Sequence, residues 1–165
     1  MEVLAATIGQ PLAQAILFSG TVQGRSVTIL VDSGSSCSFL SESLAVHLSG
    51  SSQLTNAPMV RIADGSLVPC SLGFRALQWE AQDTVFQFDF LVMPLPFYDM
   101  ILGMDWLASY SPMQIDWEHK WLILPYGQSS VRLQGQLTKL PVGSVIQVAT
   151  VYSDSDSPST LALPP

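Results

Sequence analysis

Charge is scarce in this 165-residue chain: Asp, Glu, Lys and Arg together make up 12% of it. Six Lys and Arg face thirteen Asp and Glu, for a net charge of −7. The few basic residues are scattered, so nucleic acid is excluded as the main ligand, because phosphate binding needs clustered Lys and Arg. With so little charge, the surface must be built of Ser, Thr, Gln and apolar groups, or be covered by a partner. Two cysteines, Cys37 and Cys70, are too few for a disulfide scaffold and read as small buried thiols, with their pairing left open. No apolar run approaches the ~20 residues of a membrane helix, so no membrane partner is expected. The opening "MEVLAATIGQPLAQ" lacks a basic segment before an apolar one, as a secretory signal requires. The lone Asn56 precedes Ala57 and Pro58, so no glycosylation acceptor is present. These points together favour an intracellular, cytoplasmic protein. His47 and His119 stand apart with no metal-ligand spacing, and neither a metal nor a cofactor is expected. A Gly-x-Ser-x-Gly elbow and a phosphate-binding glycine loop are also missing.

What is abundant is apolar sequence, 48% of the chain, enough for one domain with an ordinary core. Its pattern is mostly β. "AQAILFSGTVQGRSVTILV" predicts two strands around Gln23, Gly24 and Arg25. "FLSESLAVHL" spaces Leu40, Leu44 and Leu48 by four, which predicts a short amphipathic helix. "MVRIADGSLVPC" predicts two short arms around the turn pair Asp64-Gly65. "SLGFRALQWEA" and "DTVFQFDFLVM" read as strands, the second with Phe86, Phe88, Phe90 and Val92 on one face. "MDWLASY" predicts about two helical turns before Pro112, and "MQIDWEHKWLILPYG" predicts two β segments. Trp106, Trp117 and Trp121 read as packing residues. Residues 1–14 form an N-terminal extension, 15–128 the domain, and 129–165 a linker in which "VRLQGQL" and "SVIQVATVY" could be strands.

Two stretches share an order. "TILVDSGSSCSFLSESLA" and "YDMILGMDWLASY" each run from apolar strand through a tight turn with glycine to a short helix. The order suggests two related halves around a centre. In the first, the apolar run Thr28 to Val31 stops at Asp32, followed by Ser33, Gly34 and Ser35. A carboxylate ending a buried strand is costly unless hydrogen-bonded or shared. Asp32 as a plain helix cap or turn former is the simple alternative. A phosphorylation-dependent Asp-Ser-Gly-x-x-Ser motif is excluded by Cys37 in its last position.

The chemical alternative is acid–base catalysis. Peptide hydrolysis by water needs one group to take a proton and one to give it. Two carboxylates about 3 Å apart do both, because they cannot both ionise. No second apolar-apolar-Asp-Ser/Thr-Gly exists in the chain: Asp64 runs directly into Gly65 with no hydroxyl residue between, Asp105 and Asp116 each precede Trp, and Asp154 and Asp156 lie in the polar tail. A catalytic Asp32 therefore requires Asp32 of a second copy, on a twofold axis.

"LVDSGSS" resembles the active-site segment of aspartic proteases, and "DMILGMDWL" the second signature of retropepsin-like proteases. Together with "ADG" and "IDWEHKWLIL", the order is similar to the protease segment of gypsy-type LTR retrotransposon polyproteins, those of plants especially, over Ala15 to Leu124. The resemblance implies an all-β retropepsin-like half-barrel with one or two short helices, forming a homodimer. It implies an aspartic endopeptidase acting on its own polyprotein, in the cytoplasm or in virus-like particles, with residues 129–165 leading to the next polyprotein segment. Asp32 would activate water, Ser33 would brace the two active-site loops across the dimer, and Gly34 would complete the turn. Ser35 would bond the outer carboxylate oxygen and slightly lower the pKa of the pair. Ala63, Asp64, Gly65 and Ser66 would form the tip of a flap over an extended peptide substrate. Ile101, Leu102 and Gly103 would form the second signature, with Gly103 letting the helix pass close behind the active-site loop. Two other classes stay in view: a catalytically silent domain of the same fold kept for dimerisation or peptide binding, and a small-ligand β barrel.

Overall fold

A computed structural model describes residues 15–62, 64–137 and 148–152. The chain begins with a hairpin of β1 (Ala15–Val22) and β2 (Arg25–Asp32), in register from Ala15 opposite Asp32 to Val22 opposite Arg25. Gln23 and Gly24 between them have φ of 50° and 82°, the doubly left-handed turn that matches the twist of paired strands. Arg25, expected in the loop, is the first residue of β2.

The remaining elements are β3 (Phe39–Ser41), α1 (Glu42–Ala45), β4 (Ser51–Gln53), β5 (Met59–Ile62), β6 (Leu67–Pro69), β7 (Leu72–Ala81), β8 (Thr84–Met93), β9 (Met100–Leu102), α2 (Met104–Ser109), β10 (Gln114–Asp116), β11 (Trp121–Tyr126), β12 (Ser129–Gln134) and β13 (Val148–Tyr152). The helix expected over "FLSESLAVHL" is shorter than its periodicity suggests. Phe39–Ser41 is a strand pairing with both β8 and β9, and α1 is a single turn. Leu40, Leu44 and Leu48 are all buried, as the spacing requires, but Leu40 reaches the core from a strand. Ser41 starts the helix by accepting the Leu44 N–H at 3.1 Å.

Seven strands form one sheet in the order β1-β2-β9-β3-β8-β7-β4. A pairing of Thr21 with Glu80 joins β1 back to β7 and closes six of them into a ring. Gly20 permits the closure: a Cβ there would lie 2.5 Å from the Glu80 carbonyl oxygen and 2.7 Å from Ile29 Cδ1. Strands β10, β11 and β12 make a second sheet, and β13, β5 and β6 a third.

The pairing that positions the site is β2 beside β9. They run parallel, with Ile29 opposite Met100, Leu30 opposite Ile101 and Val31 opposite Leu102. The two similar sequence stretches thus lie side by side, and Asp32 and Gly103 follow the same end of neighbouring strands. Both faces of these strands are buried, which is why they read as unbroken apolar runs. Val27, Ile29, Val31, Met100 and Leu102 face a core holding Trp79, Phe86 and Trp106. Leu30 and Ile101 face a second cluster with Ala15, Cys37, Phe39, Val60 and Cys70. In the main core Trp79 stacks on Phe86 at 4.5 Å between ring centres, and Trp106 meets Phe86 edge-on at 5.9 Å. Trp117 packs at the rim of this core. Trp121 lies under the Arg132 guanidinium, 5.3 Å away.

Residues from Ser129, read as the start of a linker, form β12 along the whole of β11. Its Leu133 is fully buried with Leu122 and Leu124 in the main core. The acidic tail "SDSDSPSTLALPP" and the extension 1–14 lie outside the described residues. Because Leu133 seals the core, Leu133→Ala should cost about 2–5 kcal/mol. Urea unfolding of both forms measures it; a linker residue would give no change.

Candidate active site

Asp32 is the last residue of β2 and is only 2% exposed. The chain turns sharply after it, and the Ser35 N–H donates to the Asp32 carbonyl at 3.1 Å. The same turn brings the Gly34 N–H to Asp32 Oδ1 at 2.8 Å. The other carboxylate oxygen, Oδ2, is buried and has no hydrogen-bond partner among the described residues. Burial penalises the carboxylate anion and the Gly34 N–H favours it. Burial dominates, and the pKa rises from the ordinary 3.8 to about 7.

Ser33 and Gly34 are half-buried beside this carboxyl. Ser35 departs from expectation. It is fully buried, and its hydroxyl donates to the Cys37 carbonyl at 2.7 Å rather than to the outer carboxylate oxygen. Its hydroxyl braces the turn internally instead.

The turn is fastened from behind by the start of α2. Gly103 passes so close that a Cβ would meet the Cys37 carbonyl oxygen and lie 2.7 Å from that of Ser35. The Met104 and Asp105 N–H groups donate to the carbonyls of Ser35 and Ser36 at 2.7 and 3.3 Å. These are amides that a helix start leaves without intrahelical partners. Ile101 and Leu102 are fully buried and serve this site by packing behind it.

Two side-chain pairs, Asp105 with Ser38 and Asp99 with Thr28, have no counterpart in the sequence reading. Asp105, set aside because Trp106 follows it, accepts the Ser38 hydroxyl at 2.6 Å and the Ser38 N–H at 3.2 Å. The Ser38 hydroxyl in turn accepts the Gly103 N–H at 3.0 Å. Burial raises the Asp105 pKa, against the lowering effect of the Ser38 and Trp106 donors. Farther along, Asp99 accepts the Thr28 N–H at 2.9 Å, and the Asp99 N–H donates back to the Thr28 hydroxyl at 3.1 Å. The only local signal for Asp105 is an acid in the first turn of a helix. Its partner lies 67 residues away.

The β5–β6 hairpin ends in an exposed turn. Gly65 has φ +90°, and its N–H donates to the Ile62 carbonyl at 2.9 Å. The Ser66 N–H and hydroxyl both donate to Asp64 Oδ1, at 2.8 and 2.6 Å, which lowers the Asp64 pKa. Ala63, the fourth expected tip residue, lies outside the described residues. At its base, Val60 and Cys70 are fully buried in the cluster that also holds Cys37 and Leu30. The hairpin and the Asp32 turn therefore rest on one apolar foundation. Cys37 and Cys70 are both free thiols, pushed up to about 12 chiefly by burial. The His119 ring is 2.9 Å from the Asp116 carboxylate.

Gly103→Ala should destabilise the fold by about 1–3 kcal/mol or more, because the intruding methyl meets backbone oxygens rather than movable side chains. Thermal unfolding measures the loss. The raised pKa of Asp32 carries a pH signature. Below pH ~4 the carboxyl is protonated in both folded and unfolded chains. Between about 4 and about 7 the folded chain keeps a proton that the unfolded chain releases, so stability falls as pH rises. In the isolated chain, Asp32→Asn should remove this slope and gain on the order of a few kcal/mol over the parent at pH 8. Unfolding midpoints across pH 4–8 test it, with parallel curves for the two forms as the contrary result.

Three comparisons with known proteins bear on this geometry. A family model described as retroviral aspartyl protease matches residues 9–130. No curated protein sequence matches the chain. Among solved structures, the retroviral protease-like domain of Ddi1 from Leishmania major superposes with a TM-score of 0.54. It is 19% identical, over 78% of this chain and 96% of that domain, a likeness of fold. The closed β ring, the Asp-Ser-Gly turn ending β2 and the helix behind it thus have the retropepsin-like fold, and the chain belongs to the retroviral aspartyl protease family.

Proposed function

We propose that this chain is an aspartic endopeptidase that works as a homodimer, with the two Asp32 carboxyls forming one catalytic pair. The observation that carries the reading is the Asp32 carboxyl itself. One oxygen is fixed by the Gly34 N–H, the other is buried without a partner among the described residues, and burial pushes the group up to about 7. A second such carboxyl across a twofold axis would share the proton that burial retains, and the pair would titrate as a unit. The ionised member would take a proton from the attacking water. The protonated member would give one to the peptide group being split. Ser33, adjacent to the carboxyl, would brace the two loops across the axis.

The substrate class is an extended polypeptide, held as a β strand between the β5–β6 hairpin and the Asp32 turn, with apolar side chains around the scissile bond. The motif order that resembles gypsy-type retrotransposon proteases supports the polyprotein of such an element, of plant type, as the natural substrate. A cytoplasmic location, or one within virus-like particles, goes with that assignment.

Asp32→Asn should lower cleavage of a polyprotein-junction peptide at mildly acidic pH by ~10²–10⁴-fold or more, while leaving the circular dichroism spectrum unchanged. Undiminished turnover in the Asn form would overturn the reading. Failure of a pepstatin-type inhibitor to raise the unfolding temperature, in a chain that sediments as a dimer but cleaves nothing, would favour the silent peptide-binding domain instead.

A further inference from the structure

The third sheet has an unusual composition. Its two outer members come from distant parts of the chain: β6 closes the hairpin on one side of β5, and β13 lies along the other. Strand β13 runs antiparallel to β5, with Val148 opposite Ile62, Val151 opposite Val60 and Tyr152 opposite Met59. The register shifts once, between Val148 and Thr150. The end at Val148 is therefore two residues from Asp64, near the tip of the hairpin.

A two-stranded hairpin is marginal alone, and its open edge is a row of unpaired backbone groups that captures any extended segment. Here the chain supplies such a segment from its own C-terminal region. The sequence of that segment, "VATVY", suits the purpose: it is uncharged, free of proline and rich in β-branched residues. The same features are those expected of a peptide that the cleft would accept.

We propose that residues 148–152 act as a built-in competitor, occupying in cis the β5 edge on which an extended substrate would otherwise dock. This rests on reading β5–β6 as the cover of a peptide cleft. The segment lowers the apparent affinity for substrate by the fraction of time that it holds the edge. Its release, by cleavage or by a neighbouring polyprotein segment, would raise activity without altering Asp32.

The test uses the full chain carrying Asp32→Asn, so that binding is read without cleavage. Thr150→Pro with Tyr152→Pro removes the two backbone donors that alternate onto the β5 side and should unseat β13. A fluorescent peptide of the sequence 146–154 should then bind about tenfold tighter than to the chain without the prolines. Hydrogen exchange at Met59 and Arg61, the β5 amides that alternate with those bonded to β6 and so face β13, should quicken in the proline form and slow again on adding the peptide. Equal peptide affinity, or unchanged exchange at these amides, would overturn the proposal. In the chain with Asp32 intact, the prolines should lower KM for a junction peptide and leave kcat alone. Activity that vanishes with Asp32→Asn but shows no KM change with the prolines would sink the competitor and keep the protease. A binding difference in a chain that cleaves nothing would do the reverse.

Discussion

The Ser35 and Cys37 carbonyl oxygens fill the space where a side chain of Gly103 would project, and this contact holds the active turn in place. A carboxyl as buried as Asp32 pulls its loop toward water, because solvation of the anion is lost on folding. The loop stays because its own carbonyls satisfy the first amides of α2, while Ser38 links the Asp105 carboxylate to the Gly103 N–H. Loop and helix start thus solve each other's unpaired groups. The parallel pairing of β2 with β9 brings them within reach, and the apolar runs on both strands fix that pairing.

This arrangement explains why the carboxyl is pushed up to about 7. A turn with more donors, such as one in which Ser35 reached the outer oxygen, would favour the Asp32 anion more. The structure spends the Ser35 hydroxyl on the Cys37 carbonyl instead. Only the Gly34 N–H opposes burial. Burial thus favours the protonated form of this carboxyl.

How much of this could be read from residues follows the range of each interaction. The Asp32 turn was legible because Asp, Ser and Gly act on each other within three positions. The strands β2, β7 and β8 were legible from apolar runs and alternation. The one-turn length of α1 was not, since Leu40 fits a helical spacing equally well and only the distant β8 and β9 claim its backbone. Strand β12 was faint because "SSVRLQ" carries a single fully buried side chain, Leu133. The Asp105–Ser38 and Asp99–Thr28 bonds join residues 67 and 71 positions apart, and no local pattern announces them. The pairing of Thr21 with Glu80 that closes the ring is equally invisible in the sequence.

The two thiols draw a last consequence from the shared foundation of hairpin and turn. Cys37 sits under the loop and Cys70 at the root of the hairpin, each with its ionisation pushed up to about 12. At neutral pH almost none of either is the thiolate that attacks electrophiles. Alkylation of Cys70 can proceed only as fast as the root of the hairpin peels from its bed, so the rate of that reaction is a clock for the opening of that root.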